Sequence, residues 1–155
     1  MLDAKPYHEM TPRRFLSLGK GWVSLYRAGK NGSGSKMIAS NYCLLFALEL
    51  YLKAYITTID KRYSTERELK HLGHKLSIMI RLAKESLPQN HADILDRFCS
   101  LQRVMVNDYP ESRYPMLKRG VRQLYGGQED LIIVLRYIER VIKGVSFKDW
   151  WEREV

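Results

Sequence analysis

Apolar residues recur at three- and four-residue steps along most of the chain, whereas no stretch shows the strict alternation that is typical of a half-buried strand. The steps predict amphipathic helices over residues 12–28, 74–87, 90–106 and 128–143. Residues 37–59 are apolar nearly all round and are too many for one strand, which predicts a central helix covered on several sides. We therefore expect an all-α, up-and-down bundle of about five helices.

Capping and stop residues agree with these limits. Thr11 can cap the first helix, and Pro12 at its first position loses no hydrogen bond. Pro88 stops the third helix, Asn90 can cap the fourth, and Gly144 ends the last. The helix assignments therefore rest on two independent features of the sequence.

Three polar stretches are predicted to connect the helices. Residues 30–36 are rich in glycine and serine, residues 60–73 show no clear period, and residues 107–120 contain two prolines that exclude regular helix. The glycine- and serine-rich stretch is too short to separate two domains. We expect a single domain, with the bundle over about residues 11–144 and an aromatic-rich tail over residues 145–155.

Composition adds a strong basic bias to this picture. The chain has 155 residues, and its hydrophobic content of 45% is enough to bury a core without disulfides or a metal ion. Its formal charge of +9 favours encounter with polyanions such as RNA, DNA or nucleotides. The basic excess lies in residues 1–36, 61–90 and 111–127. A basic surface without a ligand accounts for this distribution as well as a polyanion site does.

The sequence predicts neither a metal site nor a cofactor site. Cys43 and Cys99 lie in apolar segments without a CxxC motif, so we expect small buried hydrophobic side chains in a reducing compartment. His8, His71 and His91 share no ligand spacing and are expected at the surface. No segment approaches the roughly 18 uninterrupted apolar residues of a membrane span, and no apolar leader is present. We therefore expect a cytoplasmic protein.

Three segments together resemble a known family. The apolar helix reads Ala-Leu-Glu-Leu-Tyr-Leu-Lys-Ala-Tyr-Ile at 47–56, the next helix opens with Gly-His-Lys-Leu at 73–76, and an Arg-Tyr-Pro loop stands at 113–115. In this order they resemble a HEPN domain, a family named for nucleotide binding in higher eukaryotes and prokaryotes. The resemblance runs from the first helix to Gly144. It implies a helical bundle, commonly dimeric, in a family that includes RNA-cleaving toxins of toxin–antitoxin type, partners of nucleotidyltransferases and members without known activity.

The catalytic pair of the active family members does not match fully. Those members carry an arginine, four to six residues and then a histidine in the third and fourth family helices, and two copies meet to cleave RNA. Here Arg103 is followed by Tyr109 where the histidine would stand. Arg67 and His74 have the spacing but precede the third helix. The resemblance thus implies a domain that has lost its nuclease pair, with His74, Arg67 and Arg103 left as weak catalytic candidates.

Charged residues near the apolar helix allow two interpretations. Glu49 and Lys53 are one turn apart, and burial obliges each to pair or to face a cleft. A structural pair is one interpretation, and a Glu49 that orients a basic residue of the Arg113 loop is the other. His74 follows a glycine, so it suits the cap of a helix terminus as well as the general-base role that RNA cleavage requires.

The proline-containing loop is the main binding candidate. Its cations can meet phosphates, and its rings can stack on bases. The alternative is that Tyr114 and the prolines only fix the packing of the loop. The candidate residues are Arg113, Tyr114, Lys118, Arg119 and Arg122, with Tyr109 in support.

The leading hypothesis is a HEPN-like, non-catalytic domain that binds RNA or a nucleotide, or that serves as an accessory module for an enzyme such as a nucleotidyltransferase. We expect a homodimer without a cofactor. One alternative is a metal-independent, toxin-like endoribonuclease that uses His74 or another, unrecognised base. Another is a structural homodimer held by the tail that contains Trp150 and Trp151.

Overall fold

Two long helices form an antiparallel hairpin in the computed structural model, which describes residues 11–64, 66–101 and 126–144. The first, α1, spans Pro12–Gly29, and the second, α2, spans Ser35–Ile59. The aromatic rings of Trp22 and Phe46 meet edge to face across the hairpin, with their centroids 4.9 Å apart. The short connection between α1 and α2 leaves an antiparallel arrangement as the simplest packing.

Shorter helices complete the described part of the bundle. A 3₁₀ turn at Lys61–Ser64 leads into α3 (Glu66–Leu72), α4 (Leu76–Lys84) and α5 (Gln89–Leu101), and the last described helix is α6 (Gln128–Gly144). Helices α1, α4 and α6 pack directly on α2, and α5 packs on α6 and α4. The described residues therefore form an all-α helical bundle around α2, as the apolar pattern predicts.

The first helix begins where the capping residues predict. The Thr11 hydroxyl accepts a hydrogen bond from the Arg14 backbone N–H at 3.2 Å, which satisfies one of the free donors of the first turn. Pro12 is the first helical residue, where its missing N–H costs no intrahelical bond. The predicted start of α1 is confirmed.

The central position of α2 follows from its composition. Leu44, Leu45, Leu48 and Leu52 are completely buried, and these side chains belong to one continuous hydrophobic core. Within the described residues, α2 is also the one helix with the length and hydropathy to cross a membrane, but 72% of its most apolar window is buried inside the protein. A core helix of a bundle has the same properties.

The predicted connection at residues 60–73 is wrong, because a 3₁₀ turn and α3 occupy most of it. Among the described side chains of α3, the buried ones are Leu69 and Leu72, which are three residues apart. A helix of two turns with two core residues lacks the repeated apolar period by which longer helices are recognised. With α3, the described part of the chain contains six α-helices, in agreement with the expected all-α bundle of about five.

Helix ends in the middle of the chain also differ from the predictions. The fourth predicted helix begins at Gln89, and the Pro88 carbonyl accepts from the backbone N–H groups of His91 and Ala92, so Asn90 lies inside the first turn. Leu101 is largely exposed although its spacing predicts burial. Gly127 stands beside it without a side chain; a Cβ atom at this position would lie 3.5 Å from Leu101 Cδ1 and would cover part of it.

His91 is buried rather than at the surface. Its ring lies against the Tyr137 ring of α6, with the centroids 4.5 Å apart. The sequence predicts an exposed His91 because no metal-ligand spacing involves it. In the structure, α6 covers it from a distant part of the chain. Burial of this residue is therefore a consequence of the packing between α5 and α6.

We predict opposite effects of alanine at two glycines of α1. A Cβ atom at Gly19 would lie 2.7 Å from Tyr51 Cδ2, so Gly19→Ala should destabilise the bundle by about 1–3 kcal/mol through overpacking. At Gly21 nothing lies within 4 Å, and Gly21→Ala should stabilise it by up to about 1 kcal/mol through helix propensity. Urea unfolding of both variants measures the difference, and equal stabilisation by the two would contradict the close approach of α1 to α2.

Candidate functional site

A buried ion pair lies in the middle of α2. The Lys53 ammonium donates a hydrogen bond to Glu49 Oε1 at 2.8 Å, and the two residues are only 7% and 5% exposed. The positions are one helical turn apart, so both side chains project from the same face. The structural pair that burial predicts for these two residues is present.

His74 joins this pair from outside α2. Helix α3 ends at Leu72, and Gly73 then takes a φ of +51°, a left-handed conformation that favours glycine. This turn brings the imidazole to α2, where Nδ1 lies 2.6 Å from Glu49 Oε1. The His74 side chain keeps 44% of its surface exposed. One carboxylate oxygen thus holds two basic side chains, one buried and one at the surface.

The donors around Glu49 determine the position of the histidine proton. An ammonium can only donate and an ionised carboxylate can only accept, so the Nδ1–H of His74 must be the donor to Glu49. In a neutral imidazole the other nitrogen, Nε2, is then the acceptor. This arrangement of carboxylate and imidazole orients the ring and selects its tautomer, as a buried acid does beside a catalytic histidine.

His74 does not cap the helix that follows it. The N-cap residue of α4 is Lys75, which makes no side-chain capping hydrogen bond, and α4 itself begins at Leu76 and ends at Lys84 instead of spanning residues 74–87. The structural role expected for His74 therefore differs from the observed contact. Its ring is directed to Glu49 because the left-handed Gly73 turns the chain toward α2 before α4 starts.

The remaining predicted site residues lie partly inside and partly outside the described part of the chain. Arg67 lies in α3, so a helix rather than an irregular connection orders the backbone between it and His74; its side chain is outside the described part. The binding and catalytic candidates of the proline-containing loop lie outside the described residues, and their convergence with Glu49 stays a prediction. These residues are Arg103, Tyr109, Arg113, Tyr114, Lys118, Arg119 and Arg122.

The link between Glu49 and His74 was not predicted from the sequence. The two residues are 25 positions apart, and no local spacing connects them. Two separate signals did mark them, namely a charge inside an apolar helix and a histidine directly after a glycine. Their meeting depends on how α3 and α4 pack against α2.

The cysteines do not extend the site. Cys43 and Cys99 are unpaired thiols, and burial raises the pKa of Cys43 and brings the pKa of Cys99 to about 11. A thiol with a raised pKa is a poor nucleophile at neutral pH. Across residues 11–64, 66–101 and 126–144, no three His, Cys, Asp or Glu side chains are grouped as a metal ion would require.

Comparison with known proteins adds no relative to this description. No family model, curated protein or solved structure matches the chain.

We predict that the Glu49 charge is needed chiefly to compensate Lys53. Glu49→Gln leaves the ammonium buried without an anion and should cost about 3–5 kcal/mol of unfolding free energy. The double variant Glu49→Leu with Lys53→Met replaces both charges by apolar groups and should recover most of that loss. Urea unfolding at neutral pH measures both variants. A double variant as unstable as Glu49→Gln would show that Glu49 stabilises the bundle mainly through another contact.

Proposed function

We propose that this chain is a HEPN-like domain that binds RNA or a nucleotide, or that serves as the accessory module of an enzyme that does. The observation that carries the proposal is the position of Glu49 between the Lys53 ammonium and the His74 imidazole, at 2.8 Å and 2.6 Å. These residues belong to two of the three segments by which the chain resembles the family, 47–56 and 73–76.

The geometry of the cluster suits recognition of a phosphate. Glu49 and Lys53 are buried, so they support the ring rather than reach a ligand, while His74 is nearly half exposed. A protonated imidazole held in one orientation can donate a charge-assisted hydrogen bond to a phosphate oxygen. The cluster would thus contribute a positioned donor to a wider basic surface.

The charge of the chain supports a polyanionic ligand. The formal charge of +9 raises the local concentration of nucleic acid at low salt, and phosphate contacts dominate the affinity of such complexes. The cations and rings of residues 113–122 remain the proposed contacts for phosphates and bases.

A second candidate function is metal-independent RNA cleavage, and the contact between Glu49 and His74 favours it. With its Nδ1 proton donated to a carboxylate, the imidazole presents Nε2 as the basic nitrogen, which a general base for a 2′-hydroxyl requires. A cation would still have to stabilise the charge on the phosphate, and Arg67 on the same stretch of chain is the proposed source.

We predict that the purified chain retains mixed RNA without cleaving it in EDTA at low salt. His74→Ala should weaken retention several-fold because it removes a positioned donor, whereas His71→Ala, an exposed histidine at the end of α3, should leave it unchanged. Filter binding measures retention, and gel electrophoresis of the same samples measures cleavage. Circular dichroism of both variants verifies that the bundle is intact.

Each outcome of this experiment separates the candidates. Cleavage that His74→Ala abolishes and His71→Ala preserves would replace the binding function by the ribonuclease function. Absence of both retention and cleavage at low salt would exclude both, because the electrostatic attraction is strongest under that condition.

The proposal includes a cytoplasmic homodimer. Leu18 and Leu25 lie two turns apart on one face of α1 and are 52% and 55% exposed, so they offer apolar surface to a second copy. We predict that glutamate at both positions yields a monomer in sedimentation equilibrium, while glutamate at the exposed Ile133 of α6 leaves the dimer intact. A wild-type chain that sediments as a monomer would contradict this part of the proposal.

A further inference from the structure

Helices α1 and α6 lie side by side in opposite directions, with a groove between them. Lys30 pairs with Glu129 at 2.8 Å, and Lys20 pairs with Glu139 at 2.9 Å. From Lys30, directly after α1, to Lys20 the residue number falls by ten, while the number of the paired glutamate on α6 rises by ten. The two helices therefore run antiparallel. The groove consequently runs along both helices.

Positive side chains from both helices line this groove and its α6 edge. Tyr51, Ile132 and Leu135 form its buried base. Lys20 and Arg27 of α1 and Arg136 of α6 line the groove above this base. Arg140 and Lys143 line a second depression on the α6 edge, and Arg136 and Glu139 belong to both depressions. We name these five cations, with Glu139 among them, the basic groove.

Glu139 does not neutralise the groove. Its burial would raise the pKa of the carboxyl, but hydrogen bonds from Lys143 and Lys20, at 2.5 Å and 2.9 Å, lower that pKa below its usual range. Two lysines thus share one negative charge. Arg136 and Arg140 are exposed, and neither is in an ion pair with any residue that the structure describes.

The charge of the sequence does not predict this surface, because the acidic and basic residues of α6 balance over the whole helix. Glu129 and Asp130 stand in its first turn, where they suit the helix dipole, and the cations come later. Arg136, Arg140 and Lys143 are spaced by four and three residues, so they share one face of the helix. Only the alignment with α1 adds Lys20 and Arg27 to the same surface.

The shape of the basic groove favours an extended ligand over a compact one. The part between α1 and α6 has a volume of only about 180 Å³, below the roughly 300 Å³ at which small-molecule pockets begin, and the α6 edge adds an open depression of about 510 Å³. A line of exposed cations over an apolar base instead fits an extended anion that contacts the surface at several points. Arginine guanidinium groups bind phosphate oxygens through two parallel hydrogen bonds, so the exposed arginines of this surface suit a chain of phosphates.

We propose that the basic groove binds the phosphate backbone of single-stranded RNA. The inference rests on the RNA-binding function proposed above and assigns contacts to residues other than the cluster around His74. The contacts are to phosphates rather than base edges, so they position the strand without selecting its sequence. Single-stranded DNA of the same length should therefore bind through the same arginines.

The test is the salt dependence of binding to a fluorescein-labelled, 20-nucleotide single-stranded RNA, measured by anisotropy on the full chain. Arg136→Gln with Arg140→Gln should weaken binding at every salt concentration. It should also reduce the slope of log K against log salt by about 1.4, because each lost contact to a single strand removes about 0.7. Both side chains are exposed, so thermal unfolding should match that of the wild type.

The control makes the same change of charge elsewhere. Arg81 on α4 and Arg97 on α5 are also exposed, and Arg81→Gln with Arg97→Gln should leave the slope unchanged. If the wild type binds RNA and the two double variants give equal slopes, the assignment of RNA contacts to the basic groove is wrong. The proposed function itself would not be contradicted. A wild type that binds anionic phospholipid vesicles but no RNA would overturn both.

Discussion

Glu49 carries a negative charge on the most deeply buried helix of the bundle, and the packing around α2 depends on how that charge is held. A carboxylate is stable in apolar surroundings only when its oxygens receive hydrogen bonds and its charge is compensated. Lys53 does this from the same helix and His74 from the turn between α3 and α4. The end of α3, the left-handed Gly73 and the approach of α4 to α2 are therefore all consistent with one electrostatic requirement.

A second set of charges lies between α1 and α6. Unlike the buried pair of α2, these ions lie on the surface, and the core beneath them is apolar. Lys30 with Glu129 and Lys20 with Glu139 mark the antiparallel course of α1 and α6. Exposed pairs of this kind contribute little to stability, so the apolar contacts below them hold the helices together. The excess of cations on this surface therefore has no large structural role, and it is to these cations that we assign the proposed contacts with RNA.

Local features of the chain were predicted well, and features that join distant residues were not. The start of α1 at Pro12 and the burial of α2 follow from residues within a few turns of one another. The sequence does not predict helix α3, because Leu69 and Leu72 are the only ones among its described side chains that reach the core. The sequence predicts an exposed His91, because Tyr137, whose ring covers it, is 46 positions away and no local pattern indicates the contact. For the candidate site, Glu49 and His74 were both singled out, but not as neighbours.

By itself the sequence determined that this chain forms helices, which of them is central, and that two charges inside that helix must be compensated. These properties depend on apolar spacing and on the cost of burying charge, both of which act over short stretches of chain. The tertiary structure alone decided that His74 meets Glu49 and that cations of α1 and α6 share one groove. Such meetings depend on the directions in which helices pack, and packing direction is set by all the contacts of the core together.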